Sequence, residues 1–282
     1  MNIDIENLRQ WIGKTESLSD VVTPVPITAL AATLDLDASF DQLPPLWHWL
    51  YFLPVHRWSD LGPDGHPKRG GFLPPVPLPR RMWAGGRVKF QHPLYVGEKI
   101  TRTSTIANVQ SKEGRSGSLV FVLVRHEIRN APGVALAEEH DIVYRDLSVG
   151  GTGAPAPAPD DAVWQRFIRP DDVLLFRYSA LTFNGHRVHY DRRYATEVEG
   201  YPGLVVHGPL IATLLVELVR SNLPQARVMQ FEFRAVSPLF DTEPFVVCGT
   251  PESDGRTIRL WAADSRGGLA MTATAVISLQ DV

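Results

Sequence analysis

The sequence predicts an α+β fold built from two similar halves, in each of which an antiparallel sheet wraps a buried central helix. Three observations carry that expectation. The run Gly150-Gly151-Thr152-Gly153-Ala154-Pro155-Ala156-Pro157-Ala158-Pro159 divides the 282 residues almost in half, and alternating alanine and proline favours an extended, solvated spacer with no core of its own. Each half carries a helical stretch followed by a set of strand-like runs. One such half cannot cover its own sheet edge and core, so two are expected to pair. The expected divisions are residues 1–149, a linker over 150–160, and residues 161–282.

Taken in order, Ile27 to Leu34 has helical spacing behind Pro24 and Pro26. Pro74 to Pro79 reads as a stiff surface loop. Strands are expected over Arg87 to Phe90, Lys99 to Val109, Ser118 to Ile128 and Ala135 to Tyr144. Within the third, the unbroken apolar run Leu119 to Val124 predicts burial on both faces. In the second half, Pro209 to Arg220 is apolar nearly all round and reads as a buried helix. Strands follow at Val228 to Ala235, Pro244 to Thr250, Thr257 to Ala263 and Leu269 to Ser278. The last alternates, with Met271, Ala273, Ala275 and Ile277 on one face and Thr272 and Thr274 on the other.

Composition narrows the function. With 44% hydrophobic and 21% charged residues, the chain can bury two modest cores. A net charge of −3 and a pI near 6.3 leave no basic footprint for nucleic acid. Cys248 is the only cysteine, so no internal disulfide can form. It lies in the apolar run Phe245-Val246-Val247-Cys248, where a buried, inert thiol is expected. The start, Met1-Asn2-Ile3-Asp4-Ile5-Glu6, is polar and acidic, unlike a secretory signal. The longest apolar run, Leu210 to Val219, is interrupted by Glu217 and falls far short of the roughly 20 residues a bilayer requires. Together these predict a soluble, cytoplasmic protein with neither nucleic acid nor membrane as partner.

The most informative stretch runs from Arg177 to Asp191 and includes Phe183-Asn184-Gly185-His186-Arg187-Val188-His189. Eighteen residues after His189 comes His207-Gly208-Pro209, which opens the apolar helix. A base, an amide able to hold water and backbone N–H groups at a helix start are the parts needed to add water across a polarised double bond. The His189 imidazole titrates near neutral pH and can take a proton from water and return one to carbon. Asn184 can hold that water through its amide, or it can serve as a turn residue, since Asn-Gly is a common turn pair. Arg187 can grip a substrate carboxylate or be structural. The Gly208 N–H can stabilise a developing thioester oxyanion, or the glycine can simply permit a tight turn into the helix. His186 and His189 form His-x-x-His, but the sequence offers no third ligand spaced for a metal. Arg80, Arg81, Arg87, Lys89, Arg192 and Arg193 can each meet CoA phosphates.

These residues resemble the signature of the MaoC-like (R)-specific enoyl-CoA hydratases. There an Asp-x-Asn-Pro-hydrophobic-His segment precedes His-Gly and the central helix of a hot-dog fold. Aligned on His189, the resemblance places the family's catalytic aspartate on Asn184, with His186 and Arg187 in the Asn-Pro places. An amide cannot shuttle a proton at neutral pH, so the two-residue acid–base mechanism is broken at that position. The Phe-Asn-Gly-His-Arg run, with Arg80-Arg81-Met82-Trp83-Ala84-Gly85-Gly86, is also similar to the 3-methylfumaryl-CoA (mesaconyl-CoA) and itaconyl-CoA hydratases and to mitochondrial 3-hydroxyacyl-thioester dehydratases. The resemblance implies a double hot-dog. Its first half, lacking the motif, would shape the acyl-CoA tunnel, and its second half would do the chemistry. It further implies Asn184, His189 and Gly208 as catalytic residues, with Arg187, Arg177, His186, Arg80 and Arg81 around a short, branched, dicarboxylic enoyl-CoA. No dissociable cofactor is expected, CoA being part of the substrate, and a homodimer is compatible with the fold. A general enoyl-thioester hydratase, a hot-dog thioesterase and a non-catalytic acyl-CoA-binding protein remain as alternatives.

Overall fold

The computed structural model describes residues 3–37, 41–114, 117–146 and 154–279. The first half supplies strands β1 (Thr15–Val21), β2 (Arg80–Phe90), β3 (Lys99–Gly114), β4 (Gly117–Asn130) and β5 (Gly133–Arg145). The second supplies β6 (Trp164–Ile168), β7 (Ala226–Ala235), β8 (Phe245–Pro251), β9 (Thr257–Asp264) and β10 (Leu269–Leu279). All ten join into one antiparallel sheet in the order β1-β3-β4-β5-β2-β7-β10-β9-β8-β6. The order is the same in each half, read outward from the β2–β7 seam, so the internal repeat expected from element order is present. The α+β class holds, with one correction. The two expected sheets are a single continuous one, because Gly85 to Lys89 pair directly with Arg234 to Gln230.

The helices break the repeat. They are α1 (Ile5–Arg9), α2 (Pro24–Thr33), α3 (Asp172–Leu181) and α4 (Gly208–Asn222). Helix α2 follows β1 as α3 follows β6, and the two pack against each other. The expectation that α2 is the first half's wrapped helix is therefore corrected: its counterpart is α3. Among the described residues helix α4 alone is cradled by strands, β6 to β10, with every residue from Leu210 to Val219 buried. Where a second such helix would precede β2, the proline-rich segment lies instead. Pro77 and Pro79 are exposed, but Val76 and Leu78 are buried against Val120, Val122, Val124 and Tyr144, so this is no surface loop. Prolines cannot continue a helix, and this extended run covers the sheet with alternate side chains.

Two further expectations change in detail. Along β4, Val120, Val122 and Val124 are buried while Leu119, Phe121 and Leu123 are only partly so. That run is thus buried fully on one face, and on the other the Lys112 ammonium lies over the Phe121 ring. Of the Ala/Pro segment, residues 150–153 lie outside the described residues. From Ala154 onward the chain is strapped to the β9–β10 turn, with Ala158 N–H donating to Gly267 O and Leu269 N–H to Ala156 O, both at 2.8 Å. Ala158 also packs on the cluster of Cys248, Trp261 and Ala263. Burial raises the Cys248 thiol pKa to about 11, as suits an inert position. Among the described residues no helix is long and apolar enough to cross a membrane.

The largest apolar core includes residues of both halves, among them Trp47, Leu50, Leu210, Leu214, Phe231 and Phe233. Trp47 donates its indole N–H to Glu217 on α4 at 2.9 Å, and Arg220 satisfies the same carboxylate from one turn on. A buried acid on an otherwise apolar helix is thus paired across the two halves.

Candidate active site

Helix α3 is capped by Asp171, whose carboxylate accepts the Leu174 N–H at 2.8 Å. It stops at Leu181, where Phe183 takes a left-handed backbone (φ +50°) and Asn184 N–H donates to Ser179 O at 2.8 Å. The Asn184 side-chain oxygen accepts the His186 N–H at 3.0 Å. The turn role is therefore realised, and one face of the amide oxygen is committed to it. A short 3-10 turn over Arg187–His189 then presents the imidazole.

His189 is fixed by two contacts. Its Nδ1 lies 2.7 Å from Val205 O, which requires Nδ1–H and leaves Nε2 as a free acceptor. Its ring stacks on His207, with centroids 3.8 Å apart and planes 18° from parallel. His207, fully buried, holds Ser179 Oγ at 2.8 Å through Nε2 and caps the entry to α4. Burial pushes the His189 pKa down to about 4 and that of His207 well below its ordinary value. Both rings are neutral at pH 7, the state a proton acceptor requires. Gly208 begins α4, where the first N–H groups have no intrahelical partner. A Cβ there would touch only Met271, at 4.0 Å, so tight packing does not account for this glycine.

The first half enters the site through a loop that sequence reading passed over. Gly62-Pro63-Asp64-Gly65-His66 lies against the motif: Arg187 N–H donates to Asp64 O at 2.9 Å and the Arg187 guanidinium to Pro63 O at 3.0 Å. The contact is backbone to backbone through two glycines. A Cβ on Gly65 would collide with the Gly185 carbonyl oxygen, and one on Gly185 would sit 2.7 Å from Gly65 O. Gly65 also has φ +85°. The loop brings His66 to 4.1 Å from His186, which lies 5.3 Å from His189, centroid to centroid. Asp64 Oδ2 accepts from His66 Nδ1 at 3.0 Å. Burial alone would raise the Asp64 carboxyl pKa, yet the hydrogen bonds from His66 outweigh it and hold it below the carboxylate range. Burial lowers His66 against that bond, and lowers His186 to about 2. Four imidazoles, His66, His186, His189 and His207, thus run in a row. The one signal for the loop was its Pro-Asp-Gly turn, which says nothing about a partner more than a hundred residues away.

Gly65→Ala should therefore do more than strain a turn. The left-handed backbone alone costs an alanine about 1–2 kcal/mol, and the clash forces the loops apart. We expect a lower Tm together with at least a tenfold loss of turnover. Wild-type values of both would show that the loops need not touch.

The arginines divide differently from expectation. Arg187 makes two hydrogen bonds to Asp191, at 3.0 and 2.7 Å, and its guanidinium lies over the Tyr194 ring. Arg80 is held by Glu199, at 3.1 Å to the carboxylate and 2.9 Å to the carbonyl. Arg177 is exposed on α3. Arg187 and Arg80 thus act as braces within the chain, and Arg177 faces solvent. Arg81 differs. It pairs across the sheet with the buried Tyr144, and its charge is felt by His66 and His186. Among the described residues no carboxylate lies within ion-pair distance of it.

Asp64, His66 and His186 bring ligand-type atoms within 4.8 Å of one another. However, His66 Nδ1 is already bonded to Asp64, and the charges of Arg81 and Arg69 reach His66 and oppose a cation. That environment fits a hydrogen-bonded pair better than a metal centre. A separate cleft lined by Pro44, Pro45, His48, Phe90 and Arg227 contains none of these residues.

A repeated five-stranded sheet, a single cradled helix and a His-bearing turn at that helix's start define the MaoC-like hot-dog class. In agreement, a MaoC-like dehydratase from Phytophthora capsici superposes with a TM-score of 0.72 at 15% identity, covering 98% of each chain. The profile of the hydroxyacyl-thioester dehydratase type 2 family matches residues 46–241, and the chain belongs to that family. It is 48% identical over 276 residues to the mesaconyl-C(4)-CoA hydratase of Chloroflexus aurantiacus, covering 94% of this chain and 95% of that one. It is 30% identical over 268 residues to the mitochondrial hydroxyacyl-thioester dehydratase type 2 of Schizosaccharomyces pombe, covering 82% and 88%.

Proposed function

We propose that the protein is a hydro-lyase that adds water reversibly to a short, branched, dicarboxylic enoyl-CoA, 3-methylfumaryl-CoA (mesaconyl-C4-CoA) giving citramalyl-CoA. The observation that carries this reading is Arg81, a half-buried guanidinium beside the imidazole row with no carboxylate of the described chain to pair with. In 3-methylfumaryl-CoA the carbon that receives the hydroxyl also bears a carboxylate. A cation whose charge reaches the neighbouring His66 and His186 rings is available to pair with that group. The similarity to the Chloroflexus hydratase points the same way.

In this mechanism His189 Nε2 takes a proton from water as the oxygen bonds to the β-carbon. The Gly208 N–H, at the positive end of α4, stabilises the thioester enolate. The His189 imidazolium then protonates the α-carbon, and dehydration is the same path reversed. The deciding measurement is kcat/KM for 3-methylfumaryl-CoA, itaconyl-CoA and crotonyl-CoA in wild type and Arg81→Ala. Losing a charge-assisted hydrogen bond should cost the dicarboxylic substrate about 10–100-fold and leave crotonyl-CoA nearly unchanged. If crotonyl-CoA is the better substrate and Arg81→Ala changes neither ratio, a general enoyl-thioester hydratase is the correct reading. Release of free thiol would instead mark a thioesterase.

A further inference from the structure

A water molecule poised to attack a carbon has two hydrogens, and holding its lone pair on target takes two acceptors. His189 Nε2 is one. Asn184, at the position where the resemblance has a carboxylate, is poorly suited to be the other. Its oxygen already accepts the His186 N–H at 3.0 Å, which leaves it a single lone pair held in the turn, and its NH₂ can only donate. The second free acceptor comes from the other half of the molecule. His66 Nδ1–H is turned toward Asp64 at 3.0 Å, which leaves Nε2 as the acceptor of the ring, with no hydrogen bond to it among the described residues. Ring contacts of 4.1 and 5.3 Å connect it through His186 to His189. His66 is thus oriented by a carboxylate as His189 is oriented by a backbone carbonyl.

We propose that His66, oriented by Asp64, is a further catalytic residue of this hydration site, its Nε2 accepting the second hydrogen of the attacking water. The inference rests on the hydro-lyase reading above. In the step, the water oxygen bonds to the β-carbon while one O–H bond breaks toward His189 Nε2. The π pair moves onto the thioester as an enolate, and the same proton passes from His189 to the α-carbon as the enolate collapses. His66 stays neutral and ends hydrogen-bonded to the new hydroxyl. The groups that face His66 are Asp64, Arg69 and Arg81 from the first half and His186 from the second. Burial first, and then the two arginines, disfavour its protonation against the pull of Asp64, as an acceptor requires. The carboxylate missing from the motif is thereby replaced across the pseudo-two-fold seam by an Asp–His pair that reaches the site only because Gly65 and Gly185 touch.

The test compares His66→Ala, His66→Gln and Asp64→Asn with wild type on 3-methylfumaryl-CoA, or on crotonyl-CoA if that is what the wild type hydrates. Loss of the enoyl-thioester absorbance is followed after dilution from pH 7.5 into assay buffers of decreasing pH. His66→Ala should lower kcat about 100-fold with KM changed only a few-fold. Glutamine, whose amide oxygen can stand near Nε2, should recover about tenfold of that. The acid limb should fall with two protons in wild type and with one in His66→Ala. Asp64→Asn, which no longer fixes the tautomer, should lower kcat and leave the limb steep. The proposal is overturned if His66→Ala keeps its kcat, if the whole loss lies in KM, or if the limb keeps two-proton steepness. It is equally overturned if a chelator abolishes activity and a divalent ion restores it. Should the alanine variant not fold, the glutamine and Asp64→Asn variants decide by the same readouts. A wild type that hydrates no enoyl thioester removes the hydro-lyase reading itself, which is a distinct result.

Discussion

His189→Ala is expected to abolish hydration while the fold survives. The side chain's one hydrogen bond from Nδ1 goes to a loop carbonyl, Val205 O, and its ring covers His207 without holding a helix in place. Loss of a positioned general base commonly costs about 10²–10⁴-fold in rate, and here the same atom returns the proton to carbon, so the upper part of that range applies. The pH dependence has a definite sign. Burial lowers the His189 pKa to about 4, so the base is free at neutral pH and kcat/KM should fall only as pH drops toward that value. Stability moves in the same direction. The unfolded chain protonates its histidines near 6.5, while His189, His66 and His207 resist protonation in the fold. The stability they contribute is therefore complete above about 6.5 and is lost as pH falls toward the folded-state values. Brief exposure to acid separates the two effects. A folded His189→Ala variant with a near-normal rate would remove His189 from the mechanism. Asn184→Asp, in contrast, keeps an oxygen for the His186 N–H and should remain active.

What could be read in advance follows from where the information lies. Helix α4 and strands β7 to β10 were legible because they are buried on known faces. The Met271-Ala273-Ala275-Ile277 alternation, for example, appears in the fold residue for residue. Strands β1 and β6 were not, because they close the two ends of the sheet. Thr15–Val21 is exposed along most of its length and carries no apolar alternation. Helix α3 was missed although Pro170-Asp171-Asp172 is a helix-start signal, since its inward residues include Tyr178 and Ser179 rather than a plain apolar stripe. The motif from Asn184 to Gly208 was legible because its parts are local. The Asp64–His66 loop was not, since its role exists only when two glycines distant in sequence meet. The arginines show the converse failure. Charge was counted from sequence as available, and ion pairs with Asp191 and Glu199 removed Arg187 and Arg80 from that count.

Residues 160–282 expressed alone should fail to give an active monomer, although they carry His189, Asn184 and α4. Separating the halves strips β7 of β2 along five paired positions, from Arg234 opposite Gly85 to Gln230 opposite Lys89. That seam is built for close approach. A Cβ on Gly85 would lie 2.5 Å from Phe233 O and one on Gly86 2.9 Å from Glu139 O, so side-chain-free backbone runs through the middle of the sheet. The exposed β7 would present unpaired N–H and C=O groups beside Phe231 and Phe233, the combination that templates edge-to-edge association. Because the strand order is repeated about the seam, the nearest substitute for β2 is a second β7 from another copy. Dimers through that edge, or aggregates, are the expected species by light scattering. Such a dimer would still lack activity, because the loop carrying Asp64 and His66 is absent, and with it Trp47, the first half's partner of the buried Glu217. Adding residues 1–149 as a separate chain should then restore turnover in proportion to the complex formed. A soluble, monomeric and fully active second half would contradict both the shared core and the part assigned here to the first half.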